Sequence, residues 1–97
     1  MTINIKVRLL GVFRGLSGRS QLSVELEEPI DVRKVIQNVV ETFPHEFKRV
    51  LIDPELNDPR PNAIILVNGK EISVLEGLET KVNDGDEIVL VPVSHGG

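Results

Sequence analysis

The apolar residues of this chain change their spacing at Pro29, and that change restricts the available folds more than any other feature of the sequence. Ahead of it, Ile3, Ile5, Val7, Leu9 and Phe13 share one face of an extended segment, with Asn4, Lys6 and Arg8 on the other. This is the period-two signature of a half-buried strand. Leu22, Val24 and Leu26 alternate with Ser23, Glu25 and Glu27 in the same way, so the intervening RGLSGR is expected to turn the chain into an antiparallel hairpin. Beyond Pro29, Val32, Val35, Ile36, Val39, Val40 and Phe43 recur at helical spacing. Asp31 stands where a side chain caps a helix start, and Ile30 can staple against Val35. A second, short helix is expected over HEFKRVLI with Phe47, Val50 and Leu51 inward, and the proline-rich DPELNDPRPN reads as a loop.

The strand pattern then returns. AIILV, Ala63 to Val67, is a continuous apolar run expected to be buried on both faces, and Asn68-Gly69 after it is a strong hairpin signal with Ile72 and Val74 on the return strand. NDGD makes another turn before a last strand, Glu87 to Val93, in which Pro92 cannot donate to a ladder. A hairpin, a helix across one face, and further strands completing a mixed sheet make an α+β, β-grasp arrangement. Its last strand should lie beside the first at the sheet centre, which accounts for EIVLVPV being apolar at both parities. The expected layout is one domain over residues 1–93 and a short flexible tail over 94–97.

Composition narrows the activity. At 97 residues the chain is too small for a deep, separately walled cleft, so it should act through a surface or an end. Three Phe, no Tyr or Trp, and a net charge of -4 argue against base stacking and phosphate binding, so no direct nucleic-acid contact is expected. With no cysteine, this chain supplies no thiol of its own. No apolar run approaches the ~18–20 residues that span a bilayer and no signal-peptide core opens the sequence, so no membrane association and a cytoplasmic location are expected.

Familiar catalytic patterns are missing. His45 and His95 fall in different elements, and His45 reads as a solvated surface residue, so no metal site is expected. GLSGR around Ser17 departs from a nucleophile elbow at its last position, and GVFRGLSGRS lacks the lysine of a phosphate-binding loop. Glu25, Glu27 and Glu28 read as a solvated strand face and its exit.

The ending Ser94-His95-Gly96-Gly97 is the remaining feature. Two glycines stabilise no fold, because each loses more backbone freedom on ordering than any other residue. They do suit a terminus that threads a narrow channel, since no side chain blocks it. A carboxylate becomes an electrophile only once a nucleotide is attached. As an acyl-adenylate, the Gly97 carbonyl could be attacked by sulfur to give a thiocarboxylate, or by a thiol and then an amine to give an isopeptide. His95 reads as a polar spacer ahead of an orienting group.

The β-grasp pattern, the segment ILVNG, the NDGDEI turn with its strand and the Gly-Gly end together resemble the ubiquitin-like sulfur carriers of the MoaD and ThiS type. The resemblance covers essentially the whole chain. DPRPNAIILVNG and the ending SHGG look more like the ubiquitin-related modifier branch, whose members commonly end in His-Gly-Gly. The family implies that an E1-like adenylating enzyme, which uses the ATP, binds beside the tail and modifies Gly97, with no cofactor bound to this chain. It implies sulfur supplied by a persulfide enzyme or by sulfide and delivered for tRNA thiolation or cofactor synthesis, and in the modifier branch attachment to lysines of target proteins. Small subunits of molybdopterin synthase usually carry an aromatic and two prolines before the tail, where this chain has Val91, Pro92 and Val93. That subunit is therefore an alternative, as is a β-grasp interaction module with an incidental Gly-Gly end. Strand parity assigns the docking surface. With Ile88 and Leu90 toward the helix, Val89, Val91 and Val93 face outward, joined by Leu10 and Val12 from the first strand.

Overall fold

The computed structural model describes residues 1–93. The expected tail residues Ser94, His95, Gly96 and Gly97 lie outside the described residues. The chain forms β1 (Thr2–Leu9), α1 (Gly11–Ser17), β2 (Gln21–Glu27), α2 (Val32–Thr42), α3 (His45–Leu51), β3 (Ala63–Val67), β4 (Lys70–Glu71) and β5 (Glu87–Pro92). One mixed sheet runs in the order β2-β1-β5-β3-β4, with β1 and β5 parallel at its centre and the other neighbours antiparallel. This is the β-grasp topology that the periodicities point to.

Alternation in β1 is complete: Ile3, Ile5, Val7 and Leu9 are buried while Thr2, Asn4, Lys6 and Arg8 are exposed. The register sets Val7 beside Ile88 and Leu9 beside Leu90, and these in turn lie opposite Val67 and Ile65. One face of the sheet is therefore a continuous apolar floor. Val32, Val35, Ile36 and Val39 of α2 close over it with Phe13, Phe47 and Leu51 from α1 and α3. The Phe47 ring sits between the other two, with centroids 5.8 Å from Phe13 and 5.0 Å from Phe43. The start of α2 is capped as expected, the Asp31 carboxylate accepting a hydrogen bond from the Lys34 amide at 2.9 Å.

Three local expectations are corrected. RGLSGR is no simple turn: α1 replaces it, entered through Gly11 at φ +53° and left through Gly18 at φ +73°. Phe13 is thus a buried helix residue rather than the end of β1. A seven-residue helix is not stable alone, and burial of Phe13 against α3 supplies what its length cannot. The return strand after Asn68-Gly69 holds only Lys70 and Glu71, because Ile72–Val74 coil into a 3₁₀ turn that tucks Ile72 into the core and leaves Val74 74% exposed. AIILV is buried on one face only, Ile64 being 40% exposed.

Candidate functional site

The end of β5 is where the chain leaves the sheet, and four contacts from distant parts of the sequence hold it. Pro92 lies opposite Ala63, and the Val93 amide donates to the Asn62 carbonyl at 3.0 Å. Asn62 is held in turn, its side-chain amide donating to the Leu51 carbonyl at 3.3 Å. On the other flank the Leu10 amide donates to the Leu90 carbonyl at 3.2 Å, carrying the β1–β5 ladder one residue past β1. Gly11 then presses against the Pro92 ring: a Cβ there would sit 2.6 Å from Pro92 Cγ. The last strand ends in a clamp, with Gly11 and Leu10 on one side and Asn62 on the other.

Beside the clamp lies the face of the sheet that none of the described helices covers. Ile88 and Leu90 are fully buried on the helix side, so Val89 and Val91 take the opposite parity. Arg8, Val89 and Leu66 form one row across three strands. Val91 and Ile64 form the next, and continuing the β1–β5 register by one residue adds Leu10. The strip is edged by Lys6 beside Glu87 and by Glu71 beside Leu66. Its exposure is uneven, since Val89 is only 8% exposed beneath its neighbours while Ile64 is the open residue. Val91, Val93 and Leu10 are half-buried.

Val12 is not on the first strand. It belongs to α1, 43% exposed, with Leu16 one turn further along the same helix. The correction follows from Gly11, whose positive φ ends the strand before Val12. Ile64 and Leu66 are absent from the sequence-based surface because a run of five apolar residues carries no sign of which face is open. The adjacency of the last strand to AIILV, together with the parity of Val89, would have pointed to them.

The titratable groups that the structure perturbs lie elsewhere. Arg60 hydrogen-bonds the Asp58 side chain and holds its carboxyl below the usual range, while the same pair raises the guanidinium. Glu27 is lowered by the Thr2 hydroxyl and then by the chain's amino terminus. Among the described residues no group of three or more His, Cys, Asp or Glu is placed to hold a metal ion. None of their helices is long and apolar enough to cross a membrane. A cavity of about 390 Å³ between α2, α3 and the following loop, lined by Arg33, Ile36, Lys48 and Leu78 among others, includes no residue of the clamp or the strip. Among the described residues the geometry offers an anchored end of β5 beside an apolar face.

Comparison with known proteins bears on this arrangement. The model of the ThiS family matches residues 7–97. An Archaeoglobus fulgidus protein described as a candidate sulfur carrier is 33% identical over 94 residues, covering 96% of this chain and 98% of its own length. Ubiquitin-related modifier 1 of Saccharomyces cerevisiae is 28% identical over 98 residues, covering 98% of this chain and 99% of its own. Among solved structures, small archaeal modifier protein 1 from Methanosarcina acetivorans superimposes with a TM-score of 0.80 at 28% identity, covering 100% of this chain and 99% of that one.

Proposed function

Because the chain belongs to the ThiS family of ubiquitin-like sulfur carriers and modifiers, we propose that its Gly97 carboxylate is the group that does chemistry, as a co-substrate of a separate enzyme. The observation that supports this reading is the clamp at Pro92 and Val93, which anchors the end of β5 beside an apolar strip. An E1-like adenylating enzyme docks on Leu10, Val91, Val93, Ile64 and Leu66, with the buried Val89 supporting them from beneath. Contiguous exposed apolar area commonly marks such a surface. Arg8 and Lys6 give the strip a charged edge that orients the partner. Val12, on the neighbouring helix, borders the same end of the sheet.

Four residues can reach at most ~13–14 Å beyond Val93, so docking must bring the partner's nucleotide site within that distance. Ser94, His95, Gly96 and Gly97 then thread toward it, the two glycines offering no side chain to obstruct a channel. The Gly97 carboxylate attacks the α-phosphorus of ATP, forming an acyl-adenylate and releasing pyrophosphate. A sulfide ion displaces AMP to leave a thiocarboxylate directly. A persulfide instead gives an acyl disulfide, whose S–S bond a second thiol must cleave. Every sulfur comes from the partner, because this chain has no cysteine. Its carrier end serves tRNA thiolation or cofactor synthesis in the cytoplasm. In the modifier role a partner thiol displaces AMP, and the amine of a target lysine displaces that thiol.

The test is mass spectrometry of N-terminally tagged protein from its native host, with a Gly97 deletion as control. A species with one terminal oxygen replaced by sulfur supports the carrier role, and lysines bearing a Gly97 remnant support the modifier role. Neither product, with control and parent indistinguishable, sinks the activation chemistry. Ile64→Asp isolates docking: it should abolish pyrophosphate exchange with the activating enzyme while leaving the melting transition within a few degrees. Unchanged exchange would remove the strip from the interface.

A further inference from the structure

The β2 strand stands at one edge of the sheet, with β1 as its neighbour on one side only. In an antiparallel ladder, alternate residues turn both backbone groups to the partner strand and the rest turn theirs away. Bonds at the two ends show which are which. The Leu9 amide donates to the Ser20 carbonyl at 2.9 Å, and the Glu28 amide to the Met1 carbonyl at 3.0 Å. Residues of even number in β2 therefore face β1. The N–H and C=O groups of Gln21, Ser23, Glu25 and Glu27 point off the sheet, and no described residue bonds them. Proteins commonly blunt such an edge with charged side chains, proline or a bulge; QLSVELE has no proline, lysine or bulge, and its charges are Glu25 and Glu27.

We propose that this edge pairs antiparallel with the β2 of a second copy, about a two-fold axis at Val24. The pattern is self-complementary in that register. On the open face Gln21 and Ser23, both hydrogen-bond donors, lie opposite the partner's Glu27 and Glu25. On the helix face Leu22 meets the partner's Leu26, and Val24 meets its own counterpart. All four outward residues find backbone partners. Sliding two residues one way sets Glu25 against Glu25. Sliding the other way loses a pair and puts Leu26 opposite Ser20. Edge pairing buries far less than the ~1,600 Å² of a standard interface, so the dimer is weak and concentration-dependent. It leaves β5 and its clamp, two strands away, uncovered, and so does not depend on the activation chemistry.

The test is NMR diffusion and amide exchange on the full chain from about 0.05 to about 1 mM, the weak end of specific association. Slower diffusion is expected at the upper end. Exchange protection should rise for the amides of Gln21, Ser23, Glu25 and Glu27 and stay constant for Leu22, Val24 and Leu26. Ser23→Lys faces the partner's Glu25 and should tighten the dimer, whereas Ser23→Glu should weaken it. Each pair occurs twice across the axis, so the dissociation constant should move about two- to thirty-fold in each direction. Ser23 is exposed and its own-chain neighbour Lys6 is present in monomer and dimer alike, so both variants should fold. A chain monomeric throughout, protection appearing elsewhere, or both variants moving the same way would each overturn the proposal.

Discussion

Replacing Gly11 by alanine tests the clamp directly, because two separate penalties meet at that position. Its φ of +53° is left-handed, which costs a residue bearing a Cβ about 1–2 kcal/mol. Alanine returns about 0.4–1 kcal/mol by restricting the unfolded chain. Packing adds the second penalty: the new methyl would lie 2.6 Å from Pro92 Cγ and 3.4 Å from Cδ. That ring is tied to the backbone of β5 and cannot swing aside, so relief requires a shift of strand or helix, and overpacking of this kind costs about 1–3 kcal/mol. The net loss should be about 1–4.5 kcal/mol, from the sum of these terms. Gly18 is the internal control, with φ +73° and nothing within 4 Å of its added Cβ. Gly18→Ala should therefore cost only about 0–1.5 kcal/mol, the backbone part alone. Urea titration of both variants, with the slope held common, gives the difference. Adding Pro92→Ala to Gly11→Ala removes Cγ and should recover most of the packing loss. Equal destabilisation of the two glycine variants, or no recovery in the double variant, would refute the claim that α1 and the end of β5 are in hard contact.

Three further outcomes follow from named contacts. Asp31→Ala removes the α2 cap and should cost about 1 kcal/mol in chemical denaturation, with Asp31→Asn largely preserving stability. Asn68 accepts from the Glu87 amide at 2.9 Å and donates to Asp86 at 3.0 Å, and it adopts φ +49°. Asn68→Ala should therefore cost about 2–3 kcal/mol, and Asn68→Gly less, because it keeps the left-handed backbone. The Asp58 carboxyl is depressed by Arg60, so its contribution is present above the unfolded carboxylate range near pH ~4 and is lost as pH falls through the lower folded value. Being partly exposed, the pair should contribute no more than about 1 kcal/mol. Asp58→Asn should flatten the acid limb of a stability profile and leave the limb above pH ~7 unchanged in shape. An acid limb of unaltered slope would count against the pair.

What could be read along the chain was local and periodic. Two-residue alternation marked β1 and β2, helical spacing with Asp31 marked α2, and the Asn68-Gly69 and NDGD turns marked the ends of the later strands. These signals survive because each depends on which neighbours share a face, which spacing alone determines. Two-sided apolar character in Ile88 to Val91 even indicated a central strand. Tertiary structure decided the rest. The α1 helix exists because Phe13 finds Phe47 more than thirty positions away, and short stretches of Gly, Leu and Ser look like turns without that partner. The return strand gave way to a 3₁₀ turn because burying Ile72 outweighed extending the ladder. Most consequentially, Leu10, Val91 and Ile64 become one strip only through the parallel pairing of β1 with β5 and the antiparallel pairing of β5 with β3. Alternation says that a strand has two faces. Which of them a neighbouring helix covers is settled by contacts between residues far apart in sequence.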